Sequence, residues 1–292
     1  MDAALAFGYK TLHMHFIDPH RPEPISFFSM FGCVTKNYQL VLQMIRREVV
    51  GRYKGSVMGL AWSFLNPILM LLVYTFVFSV VFKARWGEGV SDGRADFALL
   101  VFIGMIVQGL FTEAINRAPS LIINNVNYVK KVVFPLEILP VISLGTAIFH
   151  SLISMIVLAL AFFLINGYLY WTIIFVPIIL LPLLIFVLGI SWILASLGVF
   201  IRDVGQTIGI VTTILMFMSP VFYPVSAPPL KLQKWMMLNP LTFIIEQSRL
   251  AVISGQTPDW AGLGIYTLVA LVVMWIGYAW FQKTRKGFSD VL

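Results

Sequence analysis

Long apolar tracts without charges alternate with short polar segments along most of the chain. A helix needs about 20 apolar residues to cross about 30 Å of hydrocarbon, where its backbone groups find no water. The uncharged tract from Ile138 to Ile201 is too long for one crossing, and the turn-like pair Asn166-Gly167 divides it. The pattern predicts six transmembrane helices within a domain at residues 57–285, at 57–82, 97–117, 136–165, 169–201, 204–223 and 261–282.

Three segments outside these spans have helical periodicity. Residues 36–56 combine apolar side chains at three- and four-residue steps with a basic face, which predicts an amphipathic interface helix. Residues 120–133 predict a short cytoplasmic helix, with a solvated connector as the alternative. Residues 231–254 predict an external helical hairpin, capped at Asn239-Pro240, whose apolar content favours a re-entrant position in the bilayer.

Composition agrees with an all-α membrane protein. The chain is 59% hydrophobic and only 11% charged, with a mean hydropathy of +0.90, which excludes a soluble enzyme. With the N-terminus inside, 14 of the 20 Lys and Arg residues lie in cytoplasmic segments. Both termini are therefore expected in the cytoplasm, as an N-terminal segment at residues 1–35 and a tail at residues 286–292.

The common motifs of catalysis and energy conversion are missing from the sequence. Gly-Lys does not occur, so a phosphate-binding loop of the P-loop type is excluded, and neither HExxH nor GxSxG is present. We predict no catalytic residue, no metal site and no nucleic-acid partner. His150 is expected to be a hydrogen-bonded packing residue, and the spans lack the ionisable groups of ion-coupled transport. Any transport would draw its energy from another chain, such as an ATPase.

Four blocks of sequence carry a resemblance. Residues 46–82, 124–140 (NNVNYVKKVVFPLEILP), 219–224 (SPVFYP) and 238–260 resemble the membrane subunit of type 2 ABC exporters for polysaccharide. Within that group they are more similar to O-antigen and polyol-phosphate (teichoic acid) export permeases than to capsule permeases. The resemblance implies a six-span half-transporter that pairs with a second copy and with two ATP-binding subunits. ATP and Mg would bind only in those subunits, and this chain would be no enzyme.

The resemblance also implies three sets of site residues. The cytoplasmic helix becomes a coupling helix that docks on the ATPase, through Asn124, Asn125, Tyr128, Lys130 and Lys131. Aromatic and apolar side chains of spans one and five would line the polysaccharide path: Trp62, Tyr74, Phe78, Phe82, Met216, Phe217, Phe222 and Tyr223. The interface helix would attract the lipid diphosphate or pack on the ATPase through Arg46, Arg47, Arg52 and Lys54.

The expected function is export of a polysaccharide linked to polyprenyl diphosphate, from the cytoplasmic side across the inner membrane. Two alternatives stay open at this point. One is a type 2 ABC permease for a small molecule or drug, which aromatic-rich spans do not exclude. The other is a membrane enzyme or assembly protein that acts on lipid-linked sugars.

Overall fold

The computed structural model describes residues 27–81, 94–130 and 134–292, and these ranges are helical and contain no strand. Most of the predicted N-terminal segment, together with Phe82 and Lys131, lies outside the described residues. The described part forms twelve α-helices: α1 Phe27–Lys36, α2 Tyr38–Tyr53, α3 Trp62–Tyr74, α4 Arg94–Arg117, α5 Val126–Lys130, α6 Ile138–Asn166, α7 Val176–Phe200, α8 Val204–Met218, α9 Leu230–Met236, α10 Pro240–Val252, α11 Trp260–Thr284 and α12 Phe288–Val291.

Within the described ranges, five helical segments are long and apolar enough to cross a membrane: Gly59–Phe78, Phe97–Ser120, Ile138–Asn166, Trp171–Phe200 and Trp260–Val291. They correspond to five of the six predicted spans. Four of them are composite: a π-helical stretch Thr75–Val81 extends α3, the 3₁₀ turn Ala118–Ser120 follows α4, the 3₁₀ turn Trp171–Phe175 precedes α7, and the 3₁₀ turn Arg285–Gly287 joins α11 to α12. Gly167 ends α6 with a φ of 77°, which confirms the predicted turn between the third and fourth spans.

The remaining predicted span is shorter in the structure than in the prediction. Its helix, α8, has 15 residues and rises about 22 Å, less than the hydrocarbon thickness of about 30 Å. The helix ends at Met218 because Ser219 turns to an extended conformation and Pro220 has no backbone N–H to continue the ladder. The prediction that this helix continues to residue 223 is therefore wrong at its end.

The helix bundle has two distinct ends. The two ends of α4 contact different helices. Arg117, at its C-terminal end, bonds to Glu48 of α2. The carbonyl of Leu100, 17 residues earlier, accepts a hydrogen bond from Arg249 of α10. We call these the α2 end and the hairpin end. The α2 end also holds α5, the first turns of α6, and α12. The hairpin end holds α9, α10 and the loop after α8.

The predicted interface segment at residues 36–56 contains one helix, α2, and this helix packs against the bundle. α1 and α2 are separate helices, and α2 buries Val41, Met44 and Val49 while leaving Tyr38 and Leu42 exposed. α2 packs along α6 so closely that a Cβ on Gly145 would overlap the Ile45 side chain. Since its inner face is held by α6, only its outer face is available to lipid or a partner.

The external hairpin consists of α9 and α10, and the Asn239 side chain caps α10 by accepting a hydrogen bond from the Leu241 amide at 3.0 Å. This confirms the predicted cap. α10 buries Leu241, Ile244 and Ile245 in the main apolar core with α4 and α7. The apolar residues of α10 therefore stabilise the bundle, whereas α9 leaves Leu230, Leu232 and Trp235 exposed.

α7 and α11 form the closest helix pair of the bundle. The backbone of Gly189 faces Met274 and Gly277 of α11, and a Cβ on Gly277 would overlap the Gly189 carbonyl oxygen. Next to this contact, Trp192 and Tyr278 pack edge to face with ring centroids 5.3 Å apart. Small residues at such a crossing let two apolar helices approach in a membrane without a hydrophobic driving force.

Replacement of Gly277 by Ala should destabilise the protein by about 1–3 kcal/mol, because the added methyl group overpacks a contact between two backbones. The change will be visible as a lower melting temperature of the detergent-solubilised protein. Gly264→Ala on the same helix is the matched control, since nothing lies within 4 Å of a Cβ there. Equal melting temperatures for the two variants would contradict this account of the α7–α11 contact.

Candidate functional site

Two ion pairs, one helical turn apart, join α2 to the end of α4. Arg52 Nη2 lies 2.8 Å from Glu113 Oε1, and Arg117 Nη2 lies 2.7 Å from Glu48 Oε2. The signs alternate along both helices, so a shift by one turn would place Glu48 beside Glu113. The charges therefore define the register of α2 against the bundle as well as its attachment.

α6 completes this polar junction. Thr146 donates a hydrogen bond to Glu48 Oε2 at 3.1 Å, and Nδ1 of His150 lies 3.0 Å from Glu113 Oε1 and 2.9 Å from Arg52 Nη1. The ring of His150 also packs edge to face on Tyr53 of α2. His150 is thus hydrogen-bonded and packed, as predicted, but its role in joining α6 to α2 and α4 could not be predicted from the sequence.

The segment after α4 is less regular than the predicted helix at 120–133. It contains two 3₁₀ turns, Ala118–Ser120 and Ile123–Asn125, followed by the five-residue α5. Ile122 and Val129 are buried, so the predicted apolar stripe does face the protein. Because the 3₁₀ turns rotate successive side chains differently from an α-helix, the polar face is not one continuous stripe.

Tyr128 connects this segment to its surroundings. Its hydroxyl accepts a hydrogen bond from Arg47 of α2 at 3.1 Å, and its ring stacks on Phe134 at a centroid distance of 4.3 Å. Asn124 and Lys130 are exposed, while Asn125 donates to the Leu121 carbonyl at 2.8 Å. Of the predicted coupling residues, the structure therefore leaves Asn124 and Lys130 on the surface, holds Asn125 and Tyr128 within the fold, and does not describe Lys131.

A buried ion pair holds the chain where this segment returns to the bundle. Arg285 Nη1 lies 2.8 Å from Glu137 Oε2, and both side chains are about 95% buried. Cys33 of α1 donates to Glu137 Oε1 at 3.2 Å, and the Trp192 indole donates to the Glu137 carbonyl at 2.9 Å. Arg285 and Cys33 thus bond to the carboxylate of Glu137, and Trp192 bonds to its backbone carbonyl, so one residue joins four separate parts of the chain. Cys33 therefore takes part in a polar contact and is not only a small apolar residue.

The four predicted basic residues of the interface segment differ in their partners. Arg47 and Arg52 are engaged in the contacts with Tyr128, Glu113 and His150. Arg46 and Lys54 are exposed, and their side chains have no hydrogen bond or ion pair within the described part of the chain. Only this second pair is free to bind an anion without breaking contacts within the fold.

Aromatic side chains of the predicted path meet near the hairpin end. Phe222 lies 6.0 Å from Phe78 and 6.4 Å from Phe217, measured between ring centroids. The Tyr223 hydroxyl donates to the Phe217 carbonyl at 2.6 Å. Tyr74 packs on Phe102 at 6.5 Å, Met216 is half-buried, and Trp62 remains 40% exposed near the α2 end. The structure therefore brings four residues of the predicted set together near the hairpin end, namely Phe78, Phe217, Phe222 and Tyr223. Trp62 lies apart from them, near the α2 end.

Arg249 at the hairpin end follows Glu246 by three residues on α10, a spacing that favours an ion pair on one helix. That pair exists, with Nη1 and Oε1 2.9 Å apart, but the guanidinium is also buried among backbone carbonyls. It donates to Leu100 O at 3.0 Å, to Val221 O at 2.9 Å and to Pro220 O. Its five donors in a planar fork suit this task. The sequence did not show it because the three carbonyls come from two distant segments.

In the ranges that the structure describes, no three His, Cys, Asp or Glu side chains are grouped so that they could hold a metal ion. The features that stand out are instead a helical bundle of membrane-spanning length, polar junctions at its ends, and an irregular loop bonded to a basic helix. Together these define a multi-pass membrane protein.

The family comparison is more specific. Residues 39–253 match the ABC-2 type transporter family, and the chain belongs to that family. This match confirms the resemblance to type 2 ABC permeases on which the site residues were predicted.

Relatives match over most of the chain. The O-antigen export system permease protein RfbA of Myxococcus xanthus is 28% identical over 271 residues, which cover 89% of this chain and 99% of the relative. An RfbA protein of Klebsiella pneumoniae is 25% identical, with 87% of this chain and 95% of the relative covered. The polysialic acid transport protein KpsM of Escherichia coli is 24% identical, with 82% and 92% covered.

The Glu48–Arg117 pair can be measured by a double-mutant cycle. We expect Glu48→Gln and Arg117→Gln each to lower the melting temperature, and the two changes together to cost less than the sum of the single changes. The coupling energy should be roughly 1 kcal/mol, since the pair is only partly buried.

Arg46→Gln is the matched control for this cycle, because Arg46 lies on the same helix and makes no described ion pair. It should leave the melting temperature unchanged and show no coupling to Arg117→Gln. Additive effects of Glu48→Gln and Arg117→Gln would contradict a direct interaction that defines the register of α2.

Proposed function

We propose that the chain is the membrane-spanning half of an ATP-driven exporter that moves a lipid-linked polysaccharide out of the cytoplasm. The observation that carries this proposal is the match, over nearly the full length of both chains, to permeases named for O-antigen export. Relatives named for polysialic acid transport are similar over a shorter part of this chain. Similarity to exporters of two different polymers supports polysaccharide as the substrate class and favours it over a drug.

The proposed topology has six spans, with α8 as the shortest and both termini in the cytoplasm. The α2 end is then the cytoplasmic end, which agrees with the Lys and Arg residues of α2, α5 and the tail. The hairpin of α9 and α10 lies at the outer end, where its buried residues support a re-entrant position in the membrane. A cell inner membrane is the proposed location.

A second copy of the chain is part of the proposal. The Gly59–Phe78 segment is only 6% buried over its apolar window, and α8 exposes Ile210, Ile214 and Phe217. Contiguous apolar surface of this kind marks either lipid contact or a protein interface. We place the polymer path between α3 and α8 of two copies, where the cluster of Phe78, Phe217 and Phe222 offers ring faces to pyranose rings.

The ATP-binding partner is proposed to dock at the α2 end. Asn124 and Lys130 are exposed there, beside the outer face of α2 with Arg46. Tyr128 links the two surfaces, because it is bonded to Arg47 and stacked on Phe134. A movement of the partner against the irregular loop would thereby be transmitted to α2 and, through the ion pairs, to α4.

The lipid diphosphate is proposed to bind beside the interface helix. Arg46 and Lys54 are the basic residues of that helix and its C-cap that remain free for an anion, whereas Arg47 and Arg52 serve the fold. Anionic lipid groups are attracted to basic residues near the membrane surface by about 1 kcal/mol each. The proposed diphosphate site therefore contains two of the four basic residues that the sequence analysis predicts for it.

Deletion of the gene should abolish surface polysaccharide, and the wild-type gene should restore it. A variant with Arg46→Gln and Lys54→Gln should restore it only partly, by a few-fold less at equal protein level, because the lipid diphosphate loses its cationic contacts. The measurement is surface polysaccharide by gel and antibody, alongside immunoblots of the membrane fraction.

Lys231→Gln with Lys234→Gln is the control, since it removes the same charge from the opposite end of the bundle. We expect it to restore export fully. Drug sensitivity with unchanged surface polysaccharide in the deletion strain would contradict the proposed substrate class. Full export by the Arg46/Lys54 variant would instead contradict only the proposed diphosphate site.

Replacement of Tyr128 by Ala should uncouple ATP hydrolysis from export while leaving the chain in the membrane. Loss of both the stacking on Phe134 and the bond from Arg47 frees the loop from α2. The measurement is ATP hydrolysed per polymer exported by the purified complex in vesicles, and we expect this ratio to rise several-fold.

Tyr128→Phe is the graded control for coupling, because it retains the stacked ring and loses only the hydroxyl. It should lie between wild type and Tyr128→Ala. If the chain does not co-purify with an ATP-binding subunit, the proposed partner is wrong. An unchanged ratio in an intact complex would contradict only the role of Tyr128.

A further inference from the structure

A cavity of about 260 Å³ lies where the end of α2 meets α3, α4 and α6. Its walls change from polar to apolar along the helices. Near α2 the lining is polar and comprises Arg52, Ser63, Asn66, Glu113, His150 and Ser151. Further along α3 and α4 the lining becomes apolar and includes Met70, Phe102, Met105 and Ile106. Such a gradient suits one amphiphile, with its headgroup at the α2 end.

The polar part contains charges of both signs in direct contact. Arg52 and Glu113 are 2.8 Å apart, and their side chains are 44% and 18% exposed. Both side chains therefore remain accessible to a ligand although they contact each other. Glu113 Oε2 has His150 as its one hydrogen-bond partner within the described residues. The carboxylate therefore retains acceptor capacity towards the cavity, and the guanidinium retains donors.

Ser151 adds a hydroxyl to the polar wall of the cavity. This hydroxyl is buried and has no hydrogen-bond partner in the part of the chain that the structure describes. A buried polar atom without a partner is destabilising unless a bound molecule supplies one. Ser154, one turn further on the same wall, instead donates to the His150 carbonyl at 3.0 Å.

The charges select the class of ligand. A purely anionic headgroup would meet the Glu113 carboxylate, and a purely cationic one would meet Arg52. A headgroup with one phosphate and one ammonium group complements both at once. We propose that this cavity binds a phospholipid with a primary ammonium, of the phosphatidylethanolamine type, from the leaflet at the α2 end.

Each part of this lipid has a matching group in the cavity. The ammonium carries three N–H donors, for Glu113 and Ser151, which satisfies the unpaired hydroxyl. The phosphate faces the Arg52 guanidinium and the Asn66 amide at the exposed rim. The start of an acyl chain lies against Met70, Met105 and Phe102. The bound lipid would thus brace the junction of α2, α4 and α6.

This site is separate from the proposed diphosphate site at Arg46 and Lys54, and it does not rest on the exporter function. A quaternary ammonium lacks the N–H donors, so phosphatidylcholine is the discriminating comparison at equal charge and equal acyl chains. Phosphatidylglycerol tests the opposite possibility, that only the phosphate and Arg52 matter.

The test is binding of each lipid to the delipidated full-length complex in detergent, with bound lipids counted by native mass spectrometry. We expect phosphatidylethanolamine to bind about tenfold more tightly than either other lipid, which corresponds to about 1.4 kcal/mol. Equal binding of phosphatidylethanolamine and phosphatidylcholine would overturn the proposal, as would tighter binding of phosphatidylglycerol. If a second copy of the chain covers the cavity, no lipid will bind there, and this result would also overturn the proposal.

Two variants test whether the preference for phosphatidylethanolamine depends on this cavity. Glu113→Gln and Ser151→Ala should each lower the preference for phosphatidylethanolamine several-fold. Ser151→Ala should do so without lowering the melting temperature of the lipid-free complex, because no internal hydrogen bond is lost. Ser154→Ala is the matched control and should retain the preference. A preference that persists in both Glu113→Gln and Ser151→Ala would place the lipid elsewhere.

Discussion

Charges that are buried or partly buried at the edge of an apolar bundle need partners, and the alternating ion pairs between α2 and α4 meet this need while holding the two helices in one register. Glu48 and Arg52 face Arg117 and Glu113, and α6 adds Thr146 and His150. The position of α2 then determines where the loop before α6 lies, because Arg47 reaches Tyr128. The surface at the α2 end, where we propose that an ATP-binding partner docks, therefore depends on these two pairs.

The charged side chains at the two ends of the bundle have different kinds of partner. At the α2 end, carboxylates and cations pair across helices, and the Glu137–Arg285 pair joins the C-terminal part of the chain to the start of α6. At the hairpin end, Arg249 bonds mainly to backbone carbonyls. Breaking either arrangement would leave a buried charge without compensation, which is far costlier than the pair itself is stabilising.

Local signals were sufficient for several features: the length of the apolar tracts predicted the long helices, the pair Asn166-Gly167 predicted the turn, and the pair Asn239-Pro240 predicted the cap. The end of α8 and the irregular loop around Asn125 were harder, since tertiary contacts decide where a short helix stops. The contacts of Glu113, His150 and Arg285 could not be predicted, because their partners are 37 to 148 residues away in sequence. One sign was available: charges at Glu48, Arg52, Glu113 and Arg117 recur with the same four-residue spacing.

The shortness of α8 has a consequence for the backbone that follows it. Its ladder of amide bonds stops after about 22 Å, so the carbonyls of Pro220 and Val221 have no following turn to bond them. The guanidinium of Arg249 takes the place of those missing amides. One side chain of α10 thus completes the end of α8, so the backbone after α8 is held in place by a different helix and a change in α10 would be felt at the end of α8.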